Sequence, residues 1–279
     1  MATRLFDHDR VRVIRATRGI RLPDPAELWA YRSLLWMLVL RDIRVRHKQT
    51  LLGVAWAVIQ PTAQMVVMTL VFGRLAGLSS EGHPYSLFVF AALLPWTFFS
   101  NAVGASANSL LASAQLVRKV YFPRIFIPTA AVTALLLDLS IAITALLLVL
   151  PVYAQGWSWN ALAIPLLIGG TFLSALGVGC LLAALSASYR DFRNLVPFLL
   201  QIWLFVTPVV YSAEIIPERY RWLLWLNPMA GLADGFRSAI LGTPFDTWAL
   251  LSSVSVAAAL ALTGLAYFQR AQRGFADVI

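Results

Sequence analysis

The chain has 279 residues, of which 59% are hydrophobic and only 13% are charged, and its mean hydropathy is +0.74. Because soluble domains carry about 25% charged residues, this composition excludes an ordinary soluble protein and predicts a membrane protein with several spans. The net charge of +9 does not indicate nucleic-acid binding, since the basic residues are concentrated in a few segments next to apolar runs.

The N-terminal region divides into two parts. Residues 1–26 are rich in arginine and are expected to form a cytoplasmic tail. In residues 27–50, apolar side chains recur at helical spacing between Leu28 and Val39, but the continuous apolar stretch is too short to cross a bilayer. This pattern predicts an amphipathic helix that lies in the cytoplasmic membrane interface.

The first predicted span covers residues 51–72, which include no charged side chain. A helix of this length rises about 33 Å, enough to cross a hydrocarbon core of about 30 Å. The basic run at residues 41–48 comes directly before it and is expected to stay in the cytoplasm. Pro61 lies inside the span and is expected to kink it.

Five further apolar runs predict spans at about 85–111, 125–153, 162–187, 195–211 and 248–268. Residues 212–247 carry seven ionisable side chains and contain no apolar run of spanning length. We expect two short amphipathic helices there, split at Asn227-Pro228, as an external re-entrant element between spans five and six. Residues 269–279 are expected to form a second cytoplasmic tail. The predicted fold class is therefore an all-α polytopic membrane protein with six transmembrane helices.

The distribution of basic residues supports this topology. With both termini in the cytoplasm, 18 of the 22 Lys and Arg residues lie inside and 4 lie outside. Basic residues are enriched in cytoplasmic loops. The predicted orientation therefore places both termini on the cytoplasmic side.

Asp138 is the only acidic residue within a predicted span. Ionisable residues inside a membrane are functional candidates by default, and a proton-coupled carrier would need such a group. The predicted spans contain no Lys, Arg or His that would complete a proton relay. A carboxyl group buried in helix packing, with a Ser or Thr as its hydrogen-bond partner, is the favoured alternative.

No catalytic or metal-binding motif is visible. The sequence contains neither a GxxxxGK[ST] phosphate loop nor an HExxH motif. Its single cysteine, Cys180, excludes a disulfide framework and a cysteine metal cluster. We therefore expect a protein that is not an enzyme and holds no cofactor. Aromatic residues are dense in the spans, where most would face lipid, although aromatic faces also stack on sugar rings.

Seven short motifs carry a resemblance to a known family: WMLVLRDIRVRHKQTLLGVAW at 36–56, Gln60-Pro61, LPWTFF at 94–99, VRKVYFP at 117–123, YRDF at 189–192, TPVVY at 207–211, and LNP at 226–228. In this order the chain resembles the membrane subunit of type-2 ABC exporters for polysaccharides, a group that includes O-antigen, capsule and teichoic-acid exporters. A drug exporter is less similar, because the loop at 73–84 is too short for a large outer domain.

The resemblance implies a permease in the bacterial inner membrane that forms a homodimer and binds two copies of a separate ABC ATPase. That subunit would bind ATP and Mg²⁺, and a lipid-linked polysaccharide would pass between the two permease copies. The alternatives left open are export of a smaller lipid or drug, a proton-coupled carrier that uses Asp138, and a non-transporting scaffold in glycan assembly.

The resemblance also suggests site residues. The family's docking surfaces for the ATPase correspond here to Arg41, Arg44, Arg46, Arg118, Lys119, Tyr121, Phe122, Tyr189, Arg190 and Asp191. The aromatic candidates for lining the channel and contacting the glycan are Trp56, Trp96, Phe98, Phe99, Trp203, Phe205 and Tyr211.

Overall fold

The structure is a computed structural model that describes residues 25–48, 52–153 and 158–275. These residues form α-helices and short 3-10 or π-helical turns, with no strand among them. The α-helices are α1 (Pro25–Ala30), α2 (Arg32–His47), α3 (Trp56–Met68), α4 (Tyr85–Ala112), α5 (Ala114–Lys119), α6 (Phe126–Ala134), α7 (Leu136–Val149), α8 (Ile164–Ser188), α9 (Phe192–Val206), α10 (Glu218–Trp225), α11 (Ala230–Leu241) and α12 (Thr247–Ala271).

Five helical segments are long and apolar enough to cross a membrane: Gly53–Leu75, Tyr85–Ala112, Phe126–Tyr153, Trp159–Ser188 and Thr247–Ala271. They correspond to five of the six predicted spans and confirm an all-helical, polytopic membrane protein. The first of them combines α3 with a π-helical stretch at Thr69–Leu75, and the third combines α6 and α7 across a short break at Leu135.

The predicted fifth span differs from the helix that the chain forms. Helix α9 has 15 residues, so its length is about 22 Å, shorter than a hydrocarbon core of about 30 Å. It ends at Val206 because Thr207 adopts an extended conformation before Pro208, as the steric demand of proline favours. The predicted bounds of 195–211 therefore include five residues that are not part of the helix.

The segment predicted to be external divides as the sequence predicts, into α10 and α11 on either side of Asn227-Pro228. Only α11 is deeply buried: every residue except Asp234 is buried, among α4, α8 and α12. Helix α10 buries none of its residues.

The apolar core has two parts. The larger is built around α4, which contacts α3, α6, α7, α8, α9 and α11. The smaller, which we call the basal cluster, joins α2 to the neighbouring ends of α4, α6, α8 and α12 and includes Leu38, Val39, Leu110, Val117, Phe122, Ile125, Phe126, Phe268 and Phe275. The segment predicted as a polar C-terminal tail thus contributes Phe275 to the core, where its ring packs edge-on against Phe268 at 5.4 Å.

Helices α8 and α12 cross at a contact between backbones. A Cβ atom on Gly177 would lie 2.5 Å from the backbone nitrogen of Ala261, and one on Gly264 would lie 2.1 Å from the carbonyl oxygen of Gly177. Small residues allow membrane helices to approach this closely. The two glycines therefore fix the packing of the fourth and last spans.

Replacement of Gly177 should destabilise the protein. We expect Gly177→Ala to force α8 and α12 apart, at a cost of about 1–3 kcal/mol or more, and to lower the thermal unfolding midpoint of the purified protein in detergent. Gly169→Ala on the same helix is the control, because a Cβ there would have no atom within 4 Å. Equal midpoints for the two variants would contradict the close crossing.

Candidate functional site

A half-open cavity of about 190 Å³ lies where the end of α2 meets the start of the first span. Helix α4 and the α6–α7 break complete its wall. Its polar lining residues are Arg46, His47, Gln60, Thr97, Asn101 and Asp138, and Trp56 contributes an aromatic side chain. Polar groups from four parts of the chain thus converge on one point within an otherwise apolar bundle.

Asp138 is paired with basic residues from outside the predicted spans. Its Oδ2 lies 3.5 Å from Nη1 of Arg46, and its Oδ1 lies 3.3 Å from Nε2 of His47. The expected Ser or Thr partner is not the one found; Ser140, the nearest hydroxyl along the helix, donates to the Leu136 carbonyl. The predicted spans contain no basic residue that could pair with Asp138, but helix α2, outside the spans, places two basic side chains next to its carboxylate.

Most residues predicted to dock an ATPase are exposed around the basal cluster. Arg118, Lys119, Tyr121 and the Tyr189–Asp191 turn are exposed, as are Arg41 and Arg44 on α2. Two members of the set point elsewhere: Phe122 is 4% exposed within the basal cluster, and Arg46 contacts Asp138. The protruding aromatic side chain of this loop is Tyr121, which is 61% exposed and whose hydroxyl lies 3.5 Å from Oε1 of Glu27.

Five of the seven aromatic residues predicted to line a channel are either buried in the core or half exposed. Trp96, Phe98 and Phe99 are buried in the larger core, so they pack the bundle in this conformation. Trp56 and Phe205 are half exposed and offer a free ring face.

The remaining two aromatic candidates, Trp203 and Tyr211, donate hydrogen bonds to other groups of the protein. The Trp203 ring packs edge-on against Phe99 at 5.2 Å, and its Nε1 donates to Asn227 Oδ1 at 3.1 Å. The Tyr211 hydroxyl donates to the carbonyl of Phe205 at 3.0 Å. Contact of any of these aromatic residues with a glycan stays a prediction.

Asn227 connects three elements at the opposite end of the molecule from the basal cluster. Its Oδ1 accepts hydrogen bonds from Trp203 of α9 and from the Met229 amide, and its Nδ2 donates to Thr207 Oγ1 at 2.9 Å. Its backbone carbonyl accepts from Ser253 of α12 at 3.4 Å. The amide oxygen thereby accepts two hydrogen bonds and the amide nitrogen donates one, which explains why a polar residue is buried here.

Arg237 is a second anchor that sequence reasoning missed. It is 3% exposed, donates to the carbonyls of Val209 at 2.7 Å and Phe88 at 3.3 Å, and lies over the Phe88 ring. Burial lowers its pKa to about 10, an effect that Asp234 opposes, so the guanidinium remains charged at neutral pH. Nothing in the sequence indicates this role, because Arg237 stands among other charged residues in a segment predicted to be external.

A helical bundle with five segments long and apolar enough to cross a membrane is the architecture of a polytopic membrane protein. Residues 33–241 match the family model of the ABC-2 type transporter, and the chain belongs to that family.

Named relatives match almost end to end. The chain is 29% identical to the O-antigen export system permease protein RfbA of Myxococcus xanthus, over 91% of this chain and 98% of the relative. It is 26% identical to the protein of the same name from Klebsiella pneumoniae, over 88% and 95% of the two chains. It is also 26% identical to the polysialic acid transport protein KpsM of Escherichia coli, over 81% and 90%.

Loss of the buried guanidinium should loosen the external helix pair. We expect Arg237→Met to lower the stability by at least about 2 kcal/mol, because two buried carbonyls lose a charged donor. The measurement is the thermal unfolding midpoint in detergent, with Arg219→Met on the exposed helix α10 as the control. A midpoint for Arg237→Met equal to that of the control would show that Arg237 does not anchor this segment.

Proposed function

We propose that the chain is the permease subunit of an ATP-driven exporter that moves a lipid-linked polysaccharide, of the O-antigen or capsule type, across the bacterial inner membrane. The observation that carries the proposal is the match, over most of the chain, to relatives named for O-antigen export; the match to the Myxococcus xanthus relative covers 91% of this chain and 98% of that protein. The external helix pair, α10 and α11, lies within the matched family region. Export of a smaller lipid or drug is the alternative within the same family.

The energy for transport would come from a separate subunit, since the sequence has no phosphate-binding loop for ATP. Two copies of an ABC ATPase, which would hold ATP and Mg²⁺, would bind at the basal cluster. The exposed groups there combine basic side chains with the aromatic rings of Tyr121 and Tyr189. Basic and aromatic side chains are common in protein interfaces, with the charge at the rim.

A second copy of the chain would complete the channel. Helix α3 buries only Pro61 and α9 buries only Val196 within a single copy, although both carry many large apolar side chains. We propose that these two helices face the partner copy and that the polysaccharide passes between them. Trp56 and Phe205, half exposed on these helices, would then lie beside the channel.

The orientation follows from charge. Because basic residues are enriched on the cytoplasmic side, the basal cluster and both termini would be cytoplasmic, and α10 and α11 would lie near the outer surface. A proton-coupled mechanism through Asp138 is less well supported, because its carboxylate has two basic partners in the resting structure.

Deletion of the gene should abolish surface polysaccharide and leave lipid-linked polysaccharide inside the cell. Surface polysaccharide measured by immunoblot, with intracellular glycan measured in extracts, provides the test, and a plasmid copy of the gene is the control. Unchanged surface polysaccharide after deletion would contradict the proposal. Normal polysaccharide with altered lipid or drug efflux would favour the alternative.

The docking surface can be tested separately. We expect Arg118→Glu combined with Tyr121→Ala to reduce the ATPase that co-purifies with the permease at least tenfold, because charge and aromatic contact are both lost. The matched control is Arg219→Glu with Tyr220→Ala, an exposed pair on α10 at the opposite end. Equal co-purification from both double variants would place the ATPase elsewhere.

A further inference from the structure

The cavity at the end of α2 contains polar groups that the protein itself does not use. Within the described residues, Thr97 Oγ1 is shielded from solvent and has no hydrogen-bond partner. Gln60, which is exposed, and Asn101, which is half-buried, line the same cavity. Buried polar groups are almost always paired with protein or water. The Thr97 hydroxyl is such a buried group without a partner, and it lies on the same cavity wall as the two amides, so we expect something polar to occupy the cavity.

The position of the cavity within the membrane-spanning helices strengthens the need for a polar partner. Thr97 and Asn101 lie near the middle of α4, which runs from Tyr85 to Ala112, and Gln60 lies in the first span. Polar groups at membrane depth are tolerated where they line a water-filled path or a ligand site. The cavity is therefore either a pocket of water or a binding site.

The chemistry of the lining favours a sugar. Side-chain amides and a hydroxyl both donate and accept hydrogen bonds, which matches the hydroxyl groups of a pyranose ring. The Trp56 ring is 50% exposed beside them and offers an apolar face to the apolar face of such a ring. A volume of about 190 Å³ suits one sugar ring rather than an oligosaccharide.

The charges favour an uncharged sugar. The carboxylate of Asp138 lies 3.5 Å from the Arg46 guanidinium and 3.3 Å from the His47 imidazole, so both basic side chains of the lining already contact a carboxylate. A sialic acid or phosphorylated sugar would approach Asp138 without a free positive charge to receive it. An uncharged sugar ring is not repelled by the Asp138 carboxylate.

We propose that this cavity is a carbohydrate subsite that binds one uncharged sugar residue of the glycan as it enters the permease. Gln60, Thr97 and Asn101 would hydrogen-bond its hydroxyl groups, and Trp56 would stack on its ring. The Arg46–Asp138 pair would close the end of the subsite. This inference rests on the proposed function and adds to it a location and a sugar class.

Cysteine labelling tests occupancy directly. Asn101→Cys and the control Asn108→Cys, an exposed position on the same helix, are introduced into the full chain; the native Cys180 is fully buried and supplies the blank. Membranes containing permease and ATPase are prepared from cells that make the glycan and from cells that cannot. The rate of N-ethylmaleimide labelling is measured with transport arrested by orthovanadate.

We expect the glycan to slow labelling of Asn101→Cys at least fivefold and to leave Asn108→Cys unchanged. Equal labelling of Asn101→Cys in both membranes would overturn the subsite and show a water-filled cavity. An absence of labelling at position 101 in both membranes would also overturn it, because the cavity would then be closed to solutes.

Export rates provide the second measurement. We expect Gln60→Leu to slow the appearance of surface polysaccharide at least fivefold at equal membrane level. Asn108→Leu, at an exposed position of α4 outside the cavity, should export normally. Equal rates for both variants would count against the subsite, as would an exported glycan in which every residue is charged.

The failure of this inference is distinguishable from the failure of the proposed function. If the chain does not export polysaccharide, deletion of its gene leaves the cell surface unchanged. If only the subsite is wrong, deletion still removes the surface polysaccharide, whereas Asn101→Cys and Gln60→Leu behave like their controls.

Discussion

The contact of Asp138 with Arg46 and His47 is the interaction on which the arrangement of this chain depends. A carboxylate in an apolar, membrane-spanning segment is costly without a partner, and Asp138 is only 20% exposed. Helix α2 supplies both partners: Arg46 lies 92 residues earlier in the chain, and His47 is the next residue. Their meeting holds α2 alongside α6 and α7 and places the start of the first span beside the middle of α4.

That placement creates the polar cavity. It also connects the proposed docking loop to the transmembrane helices through α2. Helix α2 packs through Leu38 and Val39 into the basal cluster, which also contains Val117 and Phe122 next to the proposed docking loop. Movement of the proposed ATPase would therefore be passed through α2 to Asp138. It would also be passed to the start of the first span, which follows α2 in the chain.

At the other end, Asn227 and Arg237 hold α10 and α11 against α4, α9 and α12. Helices α3 and α9 each bury a single residue within one copy of the chain.

Hydropathy was sufficient to predict five of the long helices and the division of the external segment at Asn227-Pro228. These features depend on local properties: length, apolar composition and the effect of proline on the backbone. The end of α9 was missed because the apolar run continues to Tyr211, past the point where Pro208 makes Thr207 extended. Composition alone does not distinguish an apolar helix from an apolar turn.

The site was less predictable because it depends on tertiary pairing. Asp138 was recognised as unusual, but its partners lie in a segment that hydropathy assigned to the membrane surface. Phe122 and Tyr121 are adjacent aromatic residues, and only the packed structure shows that the first is in the core and the second is exposed. Arg237 was counted as an external charge, whereas its contacts with Phe88 and Val209 make it part of the core.

A charge exchange between α2 and the third apolar segment tests the central interaction most directly. The thermal unfolding midpoint and the surface polysaccharide are measured for Arg46→Asp, for Asp138→Arg and for the two changes together. If the ion pair organises the chain, each single change lowers both quantities and the combination restores a substantial part of them. A double variant no better than the worse single variant would contradict the coupling of α2 to the transmembrane bundle through Asp138.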